Sequence, residues 1–390
     1  MKKSRETQMR WFQLFRTNWV FWSAAGIMAP FMSAYYKSIH LTSTQIGMLF
    51  AVAPICAICI QPVWAVVSDR LGKRRLVLIG LAVCTAMAAL LYYLGRTFAV
   101  CLLATVTMAM FSSALQPLCD AILIDRANAH GCNFATIRIG GTLGYAVIVL
   151  LMGNVLERWS HGMFALSSAG YLIFALTVAA LPREEETVPS YSKLKSLSSG
   201  RRGIFDGNEV IFVLLFAFVM SLGLGFCGSF TGVYAVELGH SQKMIGLLSC
   251  ISALSEVPVL LFAQKMVKRF GEITILVAAA VLISLRLLLI GMGSTATMIS
   301  GQLLQGLTYM SAYYCCTRYI STHVKPGKIS QGQSTLTLVQ SGLASVTGNL
   351  FGGYLVDLVG TRTAFFSMAA IVFAVSLLVS AVYLVYNRKK

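Results

Sequence analysis

A chain of 390 residues of which 57% are hydrophobic and only 12% charged cannot cover itself with enough polar surface to be a soluble globule, so its solvent is a lipid bilayer. Its formal net charge of +17 would suggest nucleic acid in a soluble protein. Here the basic residues sit in short tracts between apolar runs, which excludes a nucleic-acid partner and makes the charge a signal of orientation in the membrane.

The first predicted element begins in "MKKSRETQMRWFQLFRTNWVFW", where basic residues precede an apolar run that continues to about Tyr36. That run is longer than the core of a signal peptide and has no small-residue cleavage site, so it is expected to be a retained helix. Further apolar stretches of about 20 residues follow at roughly 44–67, 76–94, 98–126, 134–156, 162–181, 208–236, 244–267, 273–291, 296–322, 332–356 and 363–386. None alternates as a barrel strand would, and backbone amides in lipid must pair within their own segment. The predicted fold is an all-α membrane protein with twelve transmembrane helices.

Lys2, Lys3, Arg5, Arg10, Arg70, Lys73, Arg74, Arg75, Arg126, Arg183, Lys193, Lys195, Arg201 and Arg202 fall on one side of such a bundle, joined later by Lys265, Lys268, Arg269, Lys325, Lys328, Arg388, Lys389 and Lys390. The other side has only Lys37, Arg96, Arg158, Lys243 and Arg362, an asymmetry that predicts both termini in the cytoplasm of a plasma or inner membrane. The longest polar interval, "PREEETVPSYSKLKSLSSGRRGIFDGN", has the composition of a linker and divides the spans six and six. The domains are therefore read as 1–181, a cytoplasmic linker 182–207, and 208–390. A weak repeat relates the halves: "GNVLE" at 153–157 precedes "GYLVD" at 353–357, and "QIGML" at 45–49 precedes "MIGLL" at 244–248. Two pseudo-symmetric six-helix bundles suit a transporter that opens alternately to each side, whereas a channel needs no such duplication.

Between the second and third spans, "QPVWAVVSDRLGKRR" ends an apolar run in a compact charged loop. Gly72 permits a tight turn and the basic residues hold the loop in the cytoplasm, but topology alone leaves Asp69 and Arg70 without a reason. The core "SDRLGKRR" resembles the cytoplasmic loop between helices two and three of the major facilitator superfamily, with Ala65 where that motif usually has glycine. "HLTSTQIGMLFA" and "NFATIRIGGTLGYA" resemble the lactose-permease-like oligosaccharide/proton symporters. "PLCDAIL" at 117–123, "SEVP" at 255–258, "SLRLLLIG" at 284–291 and "TRYI" at 317–320 are similar to the phenylpropionate-permease-like group. The resemblance covers essentially the whole chain and implies the major facilitator fold, a monomer, and Asp69, Arg70 and Gly72 as a cytoplasmic gate loop.

Ionisable groups inside spans are expensive unless paired or wet, so they are the default functional candidates. Asp120 and Arg138 lie nine residues either side of residue 129, at equal depth in a helical hairpin. Glu256 and Arg286, each fifteen residues from Gly271, repeat that arrangement about 20 Å into the second half. The tenth span adds Gln302, Gln305, Tyr309 and Tyr313 at helical spacing and ends with Arg318. The resemblance places Asp120, Arg138 and Glu256 at substrate- or coupling-site positions and Tyr145 where an aromatic ring packs on the sugar. Gln305 and Thr308 stand where the sugar symporters carry a histidine and an acid, so a proton carrier here is Glu256 or Asp120. Counted alone, the deep arginines Arg138, Arg286 and Arg318 exceed these two acids by one, which narrowly favours an anionic solute such as an organic or aromatic acid.

The five histidines fall near span ends without an HExxH pattern, most of the ten cysteines lie inside apolar runs without zinc spacing, and no Walker A loop is present. No enzyme activity, metal or cofactor is expected. The predicted function is proton-coupled uptake of a small organic solute, with protons and membrane lipid as the other partners. A sugar or nucleoside symporter, an efflux protein and a non-transporting membrane sensor are the alternatives.

Overall fold

The computed structural model describes residues 2–182, 205, 209–325 and 328–388. Apart from Pro182 and Phe205, the expected linker lies outside the described residues, as do Lys389, Lys390 and the side chains of Lys2, Lys3, Arg5 and Arg388.

The described chain is helical almost throughout, and its twelve spans follow the order read from the sequence. They are α1 (Lys2–Met28, through a tight turn Ala29–Phe31, to Met32–Ser38), α2 (Ser43–Cys59 and Gln61–Leu71), α3 (Arg74–Leu90) and α4 (Phe98–Ser112 and Leu115–Ala129). Next come α5 (Phe134–Arg158), α6 (Gly162–Ala179), α7 (Glu209–Glu237), α8 (Gln242–Phe270) and α9 (Glu272–Gly291). The last three are α10 (Thr295–Leu303, a widened turn Gly306–Met310, then Ser311–Thr322), α11 (Ile329–Thr337, a widened turn Leu338–Ala344, then Ser345–Val359) and α12 (Thr361–Arg388). Among the described residues, nine of these are individually long and apolar enough to cross a bilayer. The remainder are α1, which starts in polar residues, and the interrupted α10 and α11.

The interruptions have chemical causes. Pro117 has no N–H for the carbonyl of Ser113, and α4 breaks at Ser113 and Ala114. Gly72 ends α2 in the left-handed region at φ 60°, and its N–H donates to the Ser68 carbonyl. In α10, Gly306 lies so close to α8 that a Cβ there would overlap the Ser255 carbonyl, and its N–H donates to Ser255 Oγ at 3.0 Å. The widened turn begins at this contact, as such turns often do beside functional groups.

Contacts divide the chain into two compact units that follow the sequence halves except for two exchanged segments, Tyr36–Pro54 and His240–Cys250. One unit takes the residues before Tyr36, the spans from Ile55 to the end of α6, and His240–Cys250 from the start of α8. Its core packs Leu14, Phe21, Leu78, Leu115 and Phe174, and α5 approaches α1 so closely that a Cβ on Gly141 or Gly144 would meet Trp22 or Trp19. The second unit takes Tyr36–Pro54, α7, and everything described from Ile251 onward. There Phe226, Phe230 and Phe365 are fully buried with Phe226 tilted against Phe230 and edge-on to Phe365, and Gly348 and Gly352 of α11 let α7 approach. Helices in lipid gain little from apolar burial, so close approach at small residues is the main source of packing energy.

Candidate functional site

In the first unit, the restart of α4 at Leu115 places Gln116 and Asp120 one turn apart on one face. The hairpin to α5 then brings Arg138 to Asp120, with Nη1 to Oδ2 at 3.5 Å. Gln116 supplies a further side-chain hydrogen bond to the carboxylate. Both charged side chains stay partly open, at 23% exposure for Asp120 and 37% for Arg138, so the pair is a wet one. The backbone that carries Arg138 is held by Asn18 of α1, fully buried, whose Nδ2 donates to the Ile137 carbonyl at 3.0 Å. Tyr145 is half-buried two turns on, against Gly26 of α1 and in a cluster with Val149 and Cys250.

In the second unit, Glu256 and Arg286 come together through an amide rather than as the copy of the Asp120–Arg138 pair expected from their spacing. Gln305 Nε2 donates to Glu256 Oε1 at 3.2 Å, and Gln305 Oε1 accepts from Arg286 Nη1. A guanidinium has no acceptor, so the amide oxygen must face Arg286 and its NH2 must face the carboxylate. Gln302, one turn earlier and buried, accepts from Arg286 Nη2 at 2.9 Å. Arg286 is itself buried, and among the described residues its Nε has no hydrogen-bond partner. The close approach of α10 to α8 at Gly306, against the Ser255 carbonyl and the Glu256 backbone, falls next to Gln305 in the chain. Thr308, at the position where the resembled symporters carry an acid, is buried and donates to the Leu304 carbonyl at 2.9 Å.

Arg318 is not part of the Glu256 cluster. Its Nε meets Glu272 Oε1 at 3.1 Å, in the first turn of α9. Adding Glu272 turns three arginines against two acids into three against three, so the surplus positive charge read from the sequence disappears. At the loop after α2, Arg74 reaches Asp69 at 3.5 Å and Asp125 of α4 at 3.0 Å, while Arg75 donates to the carbonyls of Val178 and Ala179 at the end of α6. Two of the basic residues read as topological are therefore ties between spans, and Arg70 is exposed.

Asn18 carries no charge to mark it in the sequence, and neither does Asn349 of α11, which is buried and links Ser229 to the Phe50 carbonyl. Asparagine within an apolar run is the signal that was available for both. Among the described residues no group of three or more His, Cys, Asp or Glu side chains is placed to hold a metal.

The profile of the MFS_1 like family matches residues 12–367. The maltose permease of Geobacillus stearothermophilus is 26% identical over 363 residues, covering 92% of this chain and 91% of its own length. The quinolone resistance protein NorA of Staphylococcus aureus is 23% identical over 279 residues, 67% of this chain and 68% of its own. The crystal structure of the nucleoside transporter NupG superposes with a TM-score of 0.82 at 16% identity, covering 96% of this chain and 99% of that one; at this identity the likeness establishes the fold alone.

Proposed function

The chain belongs to the MFS_1 like family of major facilitator transporters, and on that premise we propose that it takes up a small, neutral, hydroxyl-bearing solute together with protons, by alternating access across the cytoplasmic membrane with both termini inside. The observation that carries the reading is the Glu256–Gln305–Arg286–Gln302 cluster, a buried guanidinium and a carboxylate joined by an amide in the middle of α8, α9 and α10. A half-buried acid that can exchange one hydrogen-bond donor for a proton is a suitable coupling group, and Glu256 is assigned that role. Asp120 and Arg138, wetter and flanked by Gln116, are assigned to the solute, with Tyr145 as an apolar face beside them.

The balance of charge bears on the substrate. With Glu272 paired to Arg318, the deep arginines no longer outnumber the acids, so the charge count that favoured a carboxylate is gone and the organic-acid reading loses its support. A maltose permease among the relatives is consistent with a polyhydroxylated solute.

The test is internal pH in proteoliposomes holding the purified protein, with sugars, nucleosides and carboxylates added singly. Acidification by a sugar or nucleoside, lost in Glu256→Gln, is the expected result. Acidification by carboxylates alone would overturn the substrate class. Solute-driven alkalinisation of vesicles in the uptake orientation would replace symport with exchange and efflux.

A further inference from the structure

The two short sequence repeats meet in the folded chain. In one unit the start of α2 lies on the end of α11, so close that a Cβ at Gly47 would overlap the Asn349 carbonyl and one at Gly353 the Ser43 carbonyl. In the other unit the start of α8 lies on the end of α5, where a Cβ at Gly246 would overlap the Val149 carbonyl. Each contact joins a helix of one sequence half to a helix of the other, at the end the proposed topology places outside. In each, the acid that closes the repeat caps the facing helix.

The two caps are unequal. Asp357 accepts from Ser43 N at 2.8 Å and Thr44 N at 2.7 Å. Thr42 and Gln45 cap each other reciprocally at 3.2 and 3.1 Å, so the opening amides of α2 are all paired. Among the described residues Glu157 accepts a single amide, Gln242 N at 3.1 Å. Beside it, Gln242 Oε1 and His240 Nε2 are buried without a partner among the described residues.

A second difference lies one turn deeper. Pro54 has no N–H, so the Phe50 carbonyl loses its donor within α2. Asn349 supplies one, Nδ2 to the Phe50 carbonyl at 3.1 Å, while its Oδ1 accepts from Ser229 of α7 at 2.8 Å. At the repeat-related positions the chain has Val149 and Ala253, neither of which can do the same. Lys37 and Glu237, at the ends of α1 and α7, add an ion pair at 2.6 Å on the α2 side.

We propose that these seams are unequal latches: Asp357 and Asn349 make α2–α11 the latch that holds this end of the protein shut, and α5–α8, held by Glu157, parts first when it opens. Separating α2 from α11 strands two amides, a carbonyl and a carboxylate that are satisfied only across the seam. Separating α8 from α5 frees one amide and admits water to Gln242 and His240, which lack partners while the seam is closed. Asp357 and Asn349 act here as positioning residues, setting the order of opening.

The latch rests on the transport reading only for its place in a cycle, so its test uses hydrogen–deuterium exchange of the full chain in nanodiscs without solute. In the parent, the amides of residues 43–46 are expected to exchange roughly tenfold more slowly than those of 242–245, about the effect of one extra hydrogen bond. Asp357→Asn and Asn349→Leu should each raise exchange in 43–50 while leaving 242–245 unchanged, and Glu157→Gln should do the reverse. Equal exchange of the two segments in the parent overturns the proposal without any variant, as does an α2 that stays protected in Asp357→Asn. A protein that exchanges as expected but moves no solute would refute the transport reading and leave the latch standing.

Discussion

Replacing Gln305 by leucine keeps most of the side-chain volume and removes the amide between Glu256 and Arg286. Two hydrogen bonds to charged groups are lost, Arg286 Nη1 to Gln305 Oε1 and Gln305 Nε2 to Glu256 Oε1. In water such bonds contribute about 1.5–3 kcal/mol each. Within a bilayer the measured average is nearer 0.6 kcal/mol and the maximum about 1.7, because separated helices in lipid find other partners. The two together are therefore worth about 1–3 kcal/mol, and because Arg286 is buried its lost contact is not restored by bulk water. If the cluster is intact in only one state of the cycle, a loss of about 2 kcal/mol moves the balance between states roughly 30-fold. Thermal unfolding in detergent should show the destabilisation, and solute-driven proton entry in proteoliposomes should fall by at least about tenfold. A Gln305→Leu protein that melts with the parent and moves protons at the parental rate would refute the assignment of Gln305 as the link.

Gly306→Val should abolish uptake in protein that still reaches the membrane, since any Cβ there meets the Ser255 carbonyl; the misfit costs about 1–3 kcal/mol and displaces Gln305, and normal solute binding by this variant would show that α10 need not lie so close to α8. Asp69→Asn is expected to lower stability by less than about 1 kcal/mol, because Arg74 keeps its shorter contact with Asp125, yet to change turnover more than solute affinity; an unaltered uptake rate leaves Asp69 without a gating role. His40, the non-glycine residue with positive φ at 63° among those described, occupies the turn between α1 and α2, while Gly239 at φ 77° occupies the repeat-related turn. His40→Gly should therefore raise stability by up to about 1 kcal/mol in thermal unfolding, the left-handed strain outweighing glycine's greater freedom in the unfolded chain.

The number of spans, their helical nature and the shared depth of Asp120 with Arg138 were legible in the sequence, because bilayer thickness and the need to pair every amide within a segment leave few choices for a chain this apolar. Helical rise alone put Glu256 and Arg286 at one level, but rise says nothing of azimuth or of what a third helix inserts between them. Only the approach of α10 at Gly306 decided that an amide joins the two, and only the fold brought Glu272, the first residue of the helix that carries Arg286, onto Arg318. The repeats were visible as strings, yet their meaning as two facing helix caps of unequal strength depended on pairing residues some 300 positions apart in one case and fewer than 90 in the other, as in Ser43 with Asp357 and Gln242 with Glu157. Hydropathy records which residues prefer lipid; which polar groups satisfy one another is a property of three-dimensional proximity, and local sequence carries no term for it.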